Sequence, residues 1–253
     1  MMGKLFGEPS VAAVPYSLPA QGLVSPVKLA FLSDLHGEEY GSCLELGREF
    51  APDLVIFGGD TFDERVSLRG GLAALQAFQK EFRTFYVPGN HEIKTGRYDL
   101  VKRAARATGA HLLAGENALV AIGENQLLIC GVEDPLHREE IYKQQLLDAC
   151  QAVRPGRCAL LVTHRPERAK DYAGLPFDLV LTGHAHGGQW RFPFLEDGFL
   201  APDVGFFPKY TGGLYDLKGT KLLVSRGLAT KNTRVPRIGN PPELCLITLV
   251  PRE

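Results

Sequence analysis

Side chains that can bind metal ions follow five short apolar runs of the sequence. In the first cluster, Ser33-Asp34-Leu35-His36 follows residues 27–32. The remaining runs are residues 54–57, 84–87, 158–162 and 179–181, and they lead to the candidate ligands Asp60, Asn90, His164, His184 and His186. Parallel strands gather ligands at their carboxyl ends, so five neighbouring strands of this kind would bring all the clusters to one rim.

The spacing within two of the clusters would allow both side chains of a cluster to bind the same metal ion. Asp34 and His36 are two positions apart, as are His184 and His186, and in extended chain such a pair projects to one side. The candidates are too many for one tetrahedral zinc ion, whereas two ions that share a bridging carboxylate would use them all. Mixed histidine, aspartate and asparagine donors favour two divalent or trivalent transition-metal ions, namely manganese, iron or zinc. Two ions ~3.5–4 Å apart can hold an attacking hydroxide and the phosphoryl oxygens of an in-line displacement.

Each cluster alone has an ordinary structural explanation. Gly59-Asp60 alone is typical of a turn, His164 of a core histidine with satisfied hydrogen bonds, and Asn90-His91 of a turn with a solvated histidine. Five independent turns would all have to carry metal donors by accident. The combination therefore indicates a dinuclear site.

The segments between the apolar runs predict the fold that positions these clusters. Residues 68–82, 98–108 and 139–153 carry apolar residues at helical spacing and alternate with the runs, which indicates a largely parallel α/β core. Later apolar segments predict the strands of a second sheet, with Gly219 in a hairpin turn; these are 189–192, 213–216, 221–224 and 244–250. The predicted fold is α/β, with two stacked mixed β-sheets flanked by helices in four αββα layers.

Composition and charge restrict the function classes. Of the 253 residues 45% are apolar and 23% are charged, and the net charge of −1 gives no electrostatic case for nucleic-acid binding. The five cysteines form no C-x-x-C pair, which argues against a disulfide framework or a thiolate zinc site.

No apolar stretch reaches the ~20 residues of a membrane span, and the first residues lack a signal-peptide pattern, so we expect a cytoplasmic protein. Residues 1–26 are expected to be a loosely ordered lead-in to a single domain over residues 27–253; the oligomeric state stays open.

The motifs D-x-H, G-D-x-x-D, G-N-H-E, a lone histidine and G-H-x-H, in this order, resemble the calcineurin-like metallophosphoesterases. They run from Asp34 to His186 without a substitution. Further stretches resemble the bacterial YkuE- and YaeI-like phosphoesterases within that family; they are residues 131–135, 183–189, 209–215, 224–228 and 240–243.

The resemblance implies a role for each motif residue. It makes Asp34, His36 and His186 ligands of one ion. It makes Asn90, His164 and His184 ligands of the other, with Asp60 as the bridge. His91 would contact the phosphoryl group or protonate the leaving oxygen, and Asp63 would orient either a ligand or His91. The implied activity is hydrolysis of a phosphomonoester or phosphodiester by a hydroxide bound to the two ions.

Several alternatives stay open at this stage. The aromatic segment 190–210 predicts core packing, or else an apolar lid or acyl groove beside the metals that would permit peripheral membrane contact. Arg226, Arg234 and Arg237 could bind substrate phosphate or serve as ordinary surface charges. The alternative enzyme is a pyrophosphate hydrolase acting on a lipid-linked nucleotide sugar. A scaffold without catalysis is disfavoured, because His91 and all the candidate ligands are present.

Overall fold

The computed structural model describes residues 10–192, 198–233 and 235–252. Its strands, in chain order, are β1 (Ala12–Ala20), β2 (Val27–Leu32), β3 (Leu54–Gly58), β4 (Thr84–Val87), β5 (His111–Leu112), β6 (Asn117–Ile122), β7 (Asn125–Gly131), β8 (Cys158–Val162), β9 (Leu179–Thr182), β10 (Leu200–Ala201), β11 (Gly205–Phe206), β12 (Gly213–Leu217), β13 (Thr220–Val224) and β14 (Glu243–Pro251). The α-helices are α1 (Gly41–Phe50), α2 (Arg69–Glu81), α3 (Asn90–Lys94), α4 (Tyr98–Ala107), α5 (Glu139–Ala152) and α6 (Ala169–Tyr172).

Twelve of these strands form two six-stranded sheets. The first has the order β1-β14-β2-β3-β4-β5, and the second has the order β12-β13-β9-β8-β7-β6. The strands β2 to β5 run parallel, as do β7, β8, β9 and β13. The remaining two, β10 and β11, form a small separate hairpin. Each large sheet therefore has a parallel centre whose carboxyl ends can present loops on one side.

Three apolar cores hold the layers together. The core between the sheets contains Phe31 and Ile56 from the first sheet and Ile129 and Leu160 from the second. A second core packs α2 and α4 on the outer face of the first sheet, and a third packs α5 and α6 on the outer face of the second. Both faces of each sheet are thus covered, which explains why β2, β3 and β8 read as continuous apolar runs. The predicted four-layer αββα sandwich is confirmed.

The strands divide between the sheets differently from the prediction. The five ligand-bearing runs are not neighbours in one sheet, because β2, β3 and β4 belong to the first sheet whereas β8 and β9 belong to the second. The second sheet begins with β6 in the middle of the chain, and β14 returns to the first sheet. The strand predicted at 189–192 does not form; Trp190 makes an isolated bridge with Ile238. Gly187 and Gly188, with positive φ, turn the chain just before it.

The expected lead-in contains an edge strand. Residues 12–20, interpreted as loosely ordered, form β1 and pair in parallel with β14 along its whole length. Pro15 and Pro19 obscured this strand in the sequence, but an edge position tolerates proline because one side of the strand needs no donors. Leu18 is buried in the core between the sheets. In the described part of the chain, no helix has the length and apolar character needed to cross a membrane.

Candidate metal centre

The seven predicted ligands converge where the carboxyl ends of the two sheets meet. They follow the ends of β2, β3, β4, β8 and β9, with Asn90 at the start of α3, and each is at most 5% exposed. Asp34, Asp60, Asn90 and His164 are fully buried. Buried charged and polar groups of this kind require partners.

Most of these residues adopt an unusual backbone conformation. Asp34, His36, Asp60, His184 and His186 all have φ between 47° and 64°, the left-handed region that non-glycine residues seldom enter. Each such residue costs about 1–3 kcal/mol unless the surrounding structure compensates. The sharp turn directs each side chain back across the end of its strand, toward the space between the sheets.

Hydrogen bonds between loops fix these turns. The backbone N–H of Asp34 donates to Gly59 (3.0 Å), and that of His36 donates to Asp60 (2.8 Å), so the loops after β2 and β3 run side by side. Gly59 has a φ of 94°, and a Cβ there would lie 2.3 Å from Nδ1 of His164. Glycine is therefore required at this position.

Glu92 ties two ligand loops together. Its carboxylate accepts the backbone N–H groups of Asp60 (3.1 Å), Gly89 (2.8 Å) and Phe62 (2.9 Å). Burial, followed by the charge of Asp60, raises the pKa of Glu92 to about 7. The sequence placed Glu92 in the G-N-H-E motif but gave it no role; the structure shows that it joins the loops after β3 and β4.

Within the part of the chain that the structure describes, most of the predicted ligands have at least one buried side-chain atom without a hydrogen bond. His36 Nε2, Asp60 Oδ2, both amide atoms of Asn90, His164 Nε2, His184 Nε2 and His186 Nδ1 are buried without a hydrogen-bond partner among the described residues. Unpartnered buried polar atoms are rare in native proteins and call for an explanation. Metal ions would satisfy the histidine nitrogens, the Asp60 oxygen and the amide oxygen of Asn90, and histidine, aspartate and asparagine form a suitable donor set for manganese, iron or zinc.

The distances place these ligands in two neighbouring groups, which a further group of His36, Asp60 and His91 connects. Asp34, His36 and His186 form one group of possible ligand atoms, and Asp60, His164 and His184 form another, with all atoms in each group within 4.8 Å of one another. Asp60 Oδ2 lies 3.0 Å from His164 Nε2 and 3.9 Å from His36 Nε2. Its other oxygen accepts the backbone N–H of His91 (2.8 Å), which leaves Oδ2 directed at both groups.

Contacts at Nδ1 orient the imidazole rings of His36 and His164. His36 Nδ1 lies 2.7 Å from Asp63 Oδ2, and His164 Nδ1 lies 2.8 Å from the carbonyl oxygen of Gly58. Each contact leaves Nε2 directed into the site, as is usual for metal-binding histidines. Although burial opposes its charge, hydrogen bonds from Arg65 and His36 hold the pKa of Asp63 well below its ordinary value.

The histidines differ in their affinity for protons. Burial disfavours a charged ring at His164, but Asp60 and then Asp34 outweigh it and raise the pKa of His164 to about 10. His186 has a pKa well below its ordinary value because of burial and the neighbouring His36. Burial opposes the charge of Asp60 also, yet His164 holds the pKa of Asp60 well below its ordinary value. His164 and Asp60 thus form an ion pair that a metal ion would replace.

His91 lies at the edge of this cluster. Its Nε2 is 4.0 Å from Asp60 Oδ2, and its Nδ1 is 2.6 Å from Glu64 Oε2. Its side chain is 16% exposed, so substrate can reach it. The sequence did not single out Glu64, although it directly follows Asp63 of the G-D-x-x-D motif.

A pocket of about 220 Å³ opens onto these residues. Its lining includes five residues of the motifs, namely His36, Asn90, His91, His184 and His186. Arg65 and Lys94 add positive charge to the lining, and Leu200 and Ala201 add apolar surface. Asp203 also lines the pocket, with Oδ2 3.5 Å from His184 Nε2 and 3.3 Å from Arg165. The sequence gave no signal for Asp203, because it lies outside the motifs on the hairpin between β10 and β11.

Of the arginines considered for phosphate binding, the two that the structure describes do not line this pocket, although Arg237 donates from Nη1 to the carbonyl oxygen of His186 (3.5 Å). Arg226 donates from Nε to Glu243 (2.8 Å) and does not line this pocket, so its role in phosphate binding stays a prediction. Arg237 donates to the carbonyl oxygen of Ala229 (2.7 Å). Arg234 lies outside the described residues, as do Pro193, Phe194 and Leu195 of the aromatic segment.

In the described part of the aromatic segment, Ala201 and Tyr210 join a core, but two of the phenylalanines do not. Phe206 and Phe207 are 66% and 71% exposed. Both rings contact Phe199, which stacks on Trp190 at 5.9 Å between ring centroids. These side chains form an aromatic cluster next to Leu200 and Ala201, which line the pocket.

The sequence pattern of the calcineurin-like phosphoesterases matches residues 27–188, the part of the chain that contains all the predicted ligands. The stacked sheets and the histidine–aspartate cluster thus belong to a metal-dependent hydrolase, and the chain is a member of the calcineurin-like phosphoesterase family. The resemblance stated from the motifs is confirmed.

Individual relatives are distant but cover most of the chain. An uncharacterized metallophosphoesterase of Campylobacter jejuni is 29% identical over 250 residues, which cover 95% of this chain but 63% of that protein. The chain therefore spans less than two thirds of that relative's length. The phosphodiesterase YaeI of Escherichia coli is 26% identical over 238 residues, covering 89% of this chain and 83% of YaeI.

Solved structures show the same fold. The phosphopantetheinyl hydrolase PptH of Mycobacterium tuberculosis superposes with a TM-score of 0.52 over 80% of this chain and 89% of that one. The two sequences are 14% identical, so the similarity supports the fold and no shared substrate.

Proposed function

We propose that this chain hydrolyses a phosphomonoester or phosphodiester by attack of water at a two-ion centre. The observation that carries this proposal is the set of buried, unpartnered donor atoms that loops from both sheets direct into one space. Membership of the phosphoesterase family supports the reaction class.

The two groups of donor atoms support the ligand assignment, and the resemblance of the motifs adds Asn90 to it. Asp34, His36 and His186 would hold one ion. Asn90, His164 and His184 would hold the other, and Asp60 Oδ2 would bridge, since it lies close to a histidine of each group. When bound, such ions supply a nucleophile from water near neutral pH and neutralise negative charge on the phosphoryl oxygens.

The protein's own residues position the substrate and handle the proton. Arg65 and Lys94 line the pocket and attract the phosphate, while His91 presents Nε2 at the edge of the site, where a leaving oxygen would depart. The hydroxyl of Ser33 directly precedes the ligand Asp34 in sequence, but its Oγ donates to Asp34 at 2.5 Å. Attack by water without a phosphoenzyme should therefore invert the configuration at phosphorus, which a chiral thiophosphate ester would report.

The test is hydrolysis of chromogenic phosphomonoesters and phosphodiesters by purified protein supplied with manganese, iron or zinc. We expect activity that chelation abolishes and metal restores. Asp60→Asn should abolish it, whereas His111→Ala, at an exposed histidine stacked on Phe85 outside the site, should retain it. Failure of every metal to support hydrolysis of either ester would refute the proposal.

A specific observation favours the second candidate, a pyrophosphate hydrolase acting on a lipid-linked substrate. The exposed Phe206 and Phe207 lie on or beside the hairpin whose Leu200 and Ala201 line the pocket. Aromatic side chains in such a position suit the interface between water and lipid. Phe206→Ser with Phe207→Ser should then lower hydrolysis of a vesicle-embedded substrate but spare a water-soluble ester; equal effects on both would disfavour this candidate.

A further inference from the structure

Two carboxylates lie on the Nδ1 side of His91. Glu64 Oε2 is 2.6 Å from Nδ1, whereas Asp63 Oδ2 is 3.5 Å away. Asp63 also contacts Nδ1 of His36 at 2.7 Å and the guanidinium group of Arg65. Asp63 is thus committed to His36 and Arg65, and the close partner of His91 is Glu64.

The contact with Glu64 determines where the other nitrogen points. A carboxylate accepts a hydrogen bond, so Nδ1 of His91 carries a proton and Nε2 faces the site, 4.0 Å from Asp60 Oδ2. The edge of the His91 ring also meets the ring of His36, at 4.6 Å between centroids and 82° between planes. Two independent contacts therefore restrict the ring.

We propose that Glu64 is a positioning residue for His91, an inference that rests on the phosphoesterase function proposed above. Glu64 holds Nδ1–H, directs Nε2 at the leaving oxygen and stabilises the positively charged ring. When the bond from phosphorus to the leaving oxygen breaks, its electron pair stays on that oxygen, which takes the proton from Nε2. His91 becomes neutral, keeps Nδ1–H, and regains a proton from water. A carboxylate behind a histidine performs the same orienting task in other hydrolases.

The neighbouring carboxylates Asp63 and Glu64 contact different histidines. Asp63 orients His36 within the ligand cluster, and Glu64 orients His91 outside it. The side chain of Asp63 is fully buried, whereas that of Glu64 is 23% exposed. Replacing Glu64 should therefore leave metal binding intact, which separates this role from that of a ligand-supporting carboxylate.

The kinetic test combines substitutions at both positions. Glu64→Ala should lower kcat about 10-fold or more on an alkyl phosphate ester, and less on a p-nitrophenyl ester, whose leaving group needs no proton. KM and metal content should stay unchanged. Glu64→Gln keeps an oxygen acceptor and should restore part of the rate. In a His91→Ala background, Glu64→Ala should cause no further loss, because residues that act together are not additive. Glu124→Ala, in the exposed turn between β6 and β7, is the matched control.

A second readout does not depend on activity. Nitrogen-15 NMR of the histidine side chains should show Nδ1–H at His91 in the unsubstituted protein, and loss of that preference in Glu64→Ala. Independent, multiplying losses in the double variant, or an unchanged His91 tautomer in Glu64→Ala, would overturn the inference. An inactive unsubstituted protein whose His91 tautomer still depends on Glu64 would instead contradict the proposed function and support the positioning contact.

Discussion

Nε2 of His164 lies 3.0 Å from Oδ2 of Asp60, and the two residues come from different sheets. His164 follows β8 of the second sheet, and Asp60 follows β3 of the first. Both side chains are fully buried at the meeting point of the sheets. A metal ion between them would therefore link the two halves of the sandwich as well as serve the reaction.

This link gives the first prediction, on metal content. The loaded protein should hold two transition-metal ions per chain, and Asp60→Asn should lower the affinity for both, because one carboxylate oxygen lies near both ligand groups. Elemental analysis after equilibrium dialysis measures the stoichiometry. The control His111→Ala should retain two ions. A saturated content of one ion in the unsubstituted protein would contradict the two-ion centre.

The second prediction separates catalysis from metal binding. His91→Ala should retain the metal ions but lower kcat by ~10²–10⁴-fold, since a proton donor or phosphoryl contact contributes about that much. His91 lies close to the buried His36 and Asp60, but the motifs do not assign it as a ligand, and its side chain is partly exposed. Parallel metal analysis and steady-state kinetics check the prediction. Loss of metal in this variant would show that His91 is a ligand.

The third prediction concerns pH and follows from the pKa of His164, which is about 10 in the protein without bound ions. At pH 7 this ring is protonated, whereas a metal ligand must be neutral, so metal binding should release at least one proton. Below that pKa, the affinity for metal ions should rise about tenfold for each unit of increase in pH, because of this residue alone. Calorimetry in buffers of different ionisation enthalpy counts the protons. His164→Asn should release about one proton fewer, and an unchanged count would contradict the assignment.

The fourth prediction tests the connection that Glu92 makes between the ligand loops. Glu92→Ala leaves three buried N–H groups, those of Asp60, Phe62 and Gly89, without their acceptor. Each unpaired group costs about 1–3 kcal/mol, so the free energy of unfolding should fall by about 3 kcal/mol or more in urea titrations, with weaker metal binding. Glu49→Ala, an exposed site on α1, should change it by less than about 0.5 kcal/mol. If Glu92→Ala lowers the free energy of unfolding by less than about 0.5 kcal/mol, the loops hold together without this carboxylate.

Local patterns in the sequence were enough to predict which side chains meet at this site, and to predict most of the strands and helices that carry them. The apolar runs before Asp34, Asp60, Asn90 and His164 became strands because residues buried on both faces leave no polar alternation. Helical periodicity likewise predicted α2, α4 and α5 within about one residue at each end.

The tertiary structure alone decided how the strands divide and which carboxylates meet which histidines. β1 and β14 join the first sheet through contacts between the two ends of the chain, a distance in sequence that periodicity does not report. Asp63 and Glu64 are neighbours with similar chemistry, yet one contacts His36 and the other His91. Side-chain partners depend on the direction in which each loop leaves its strand, and packing between the sheets sets that direction. The sequence therefore determined the chemistry available to this protein, and the fold determined how that chemistry is arranged.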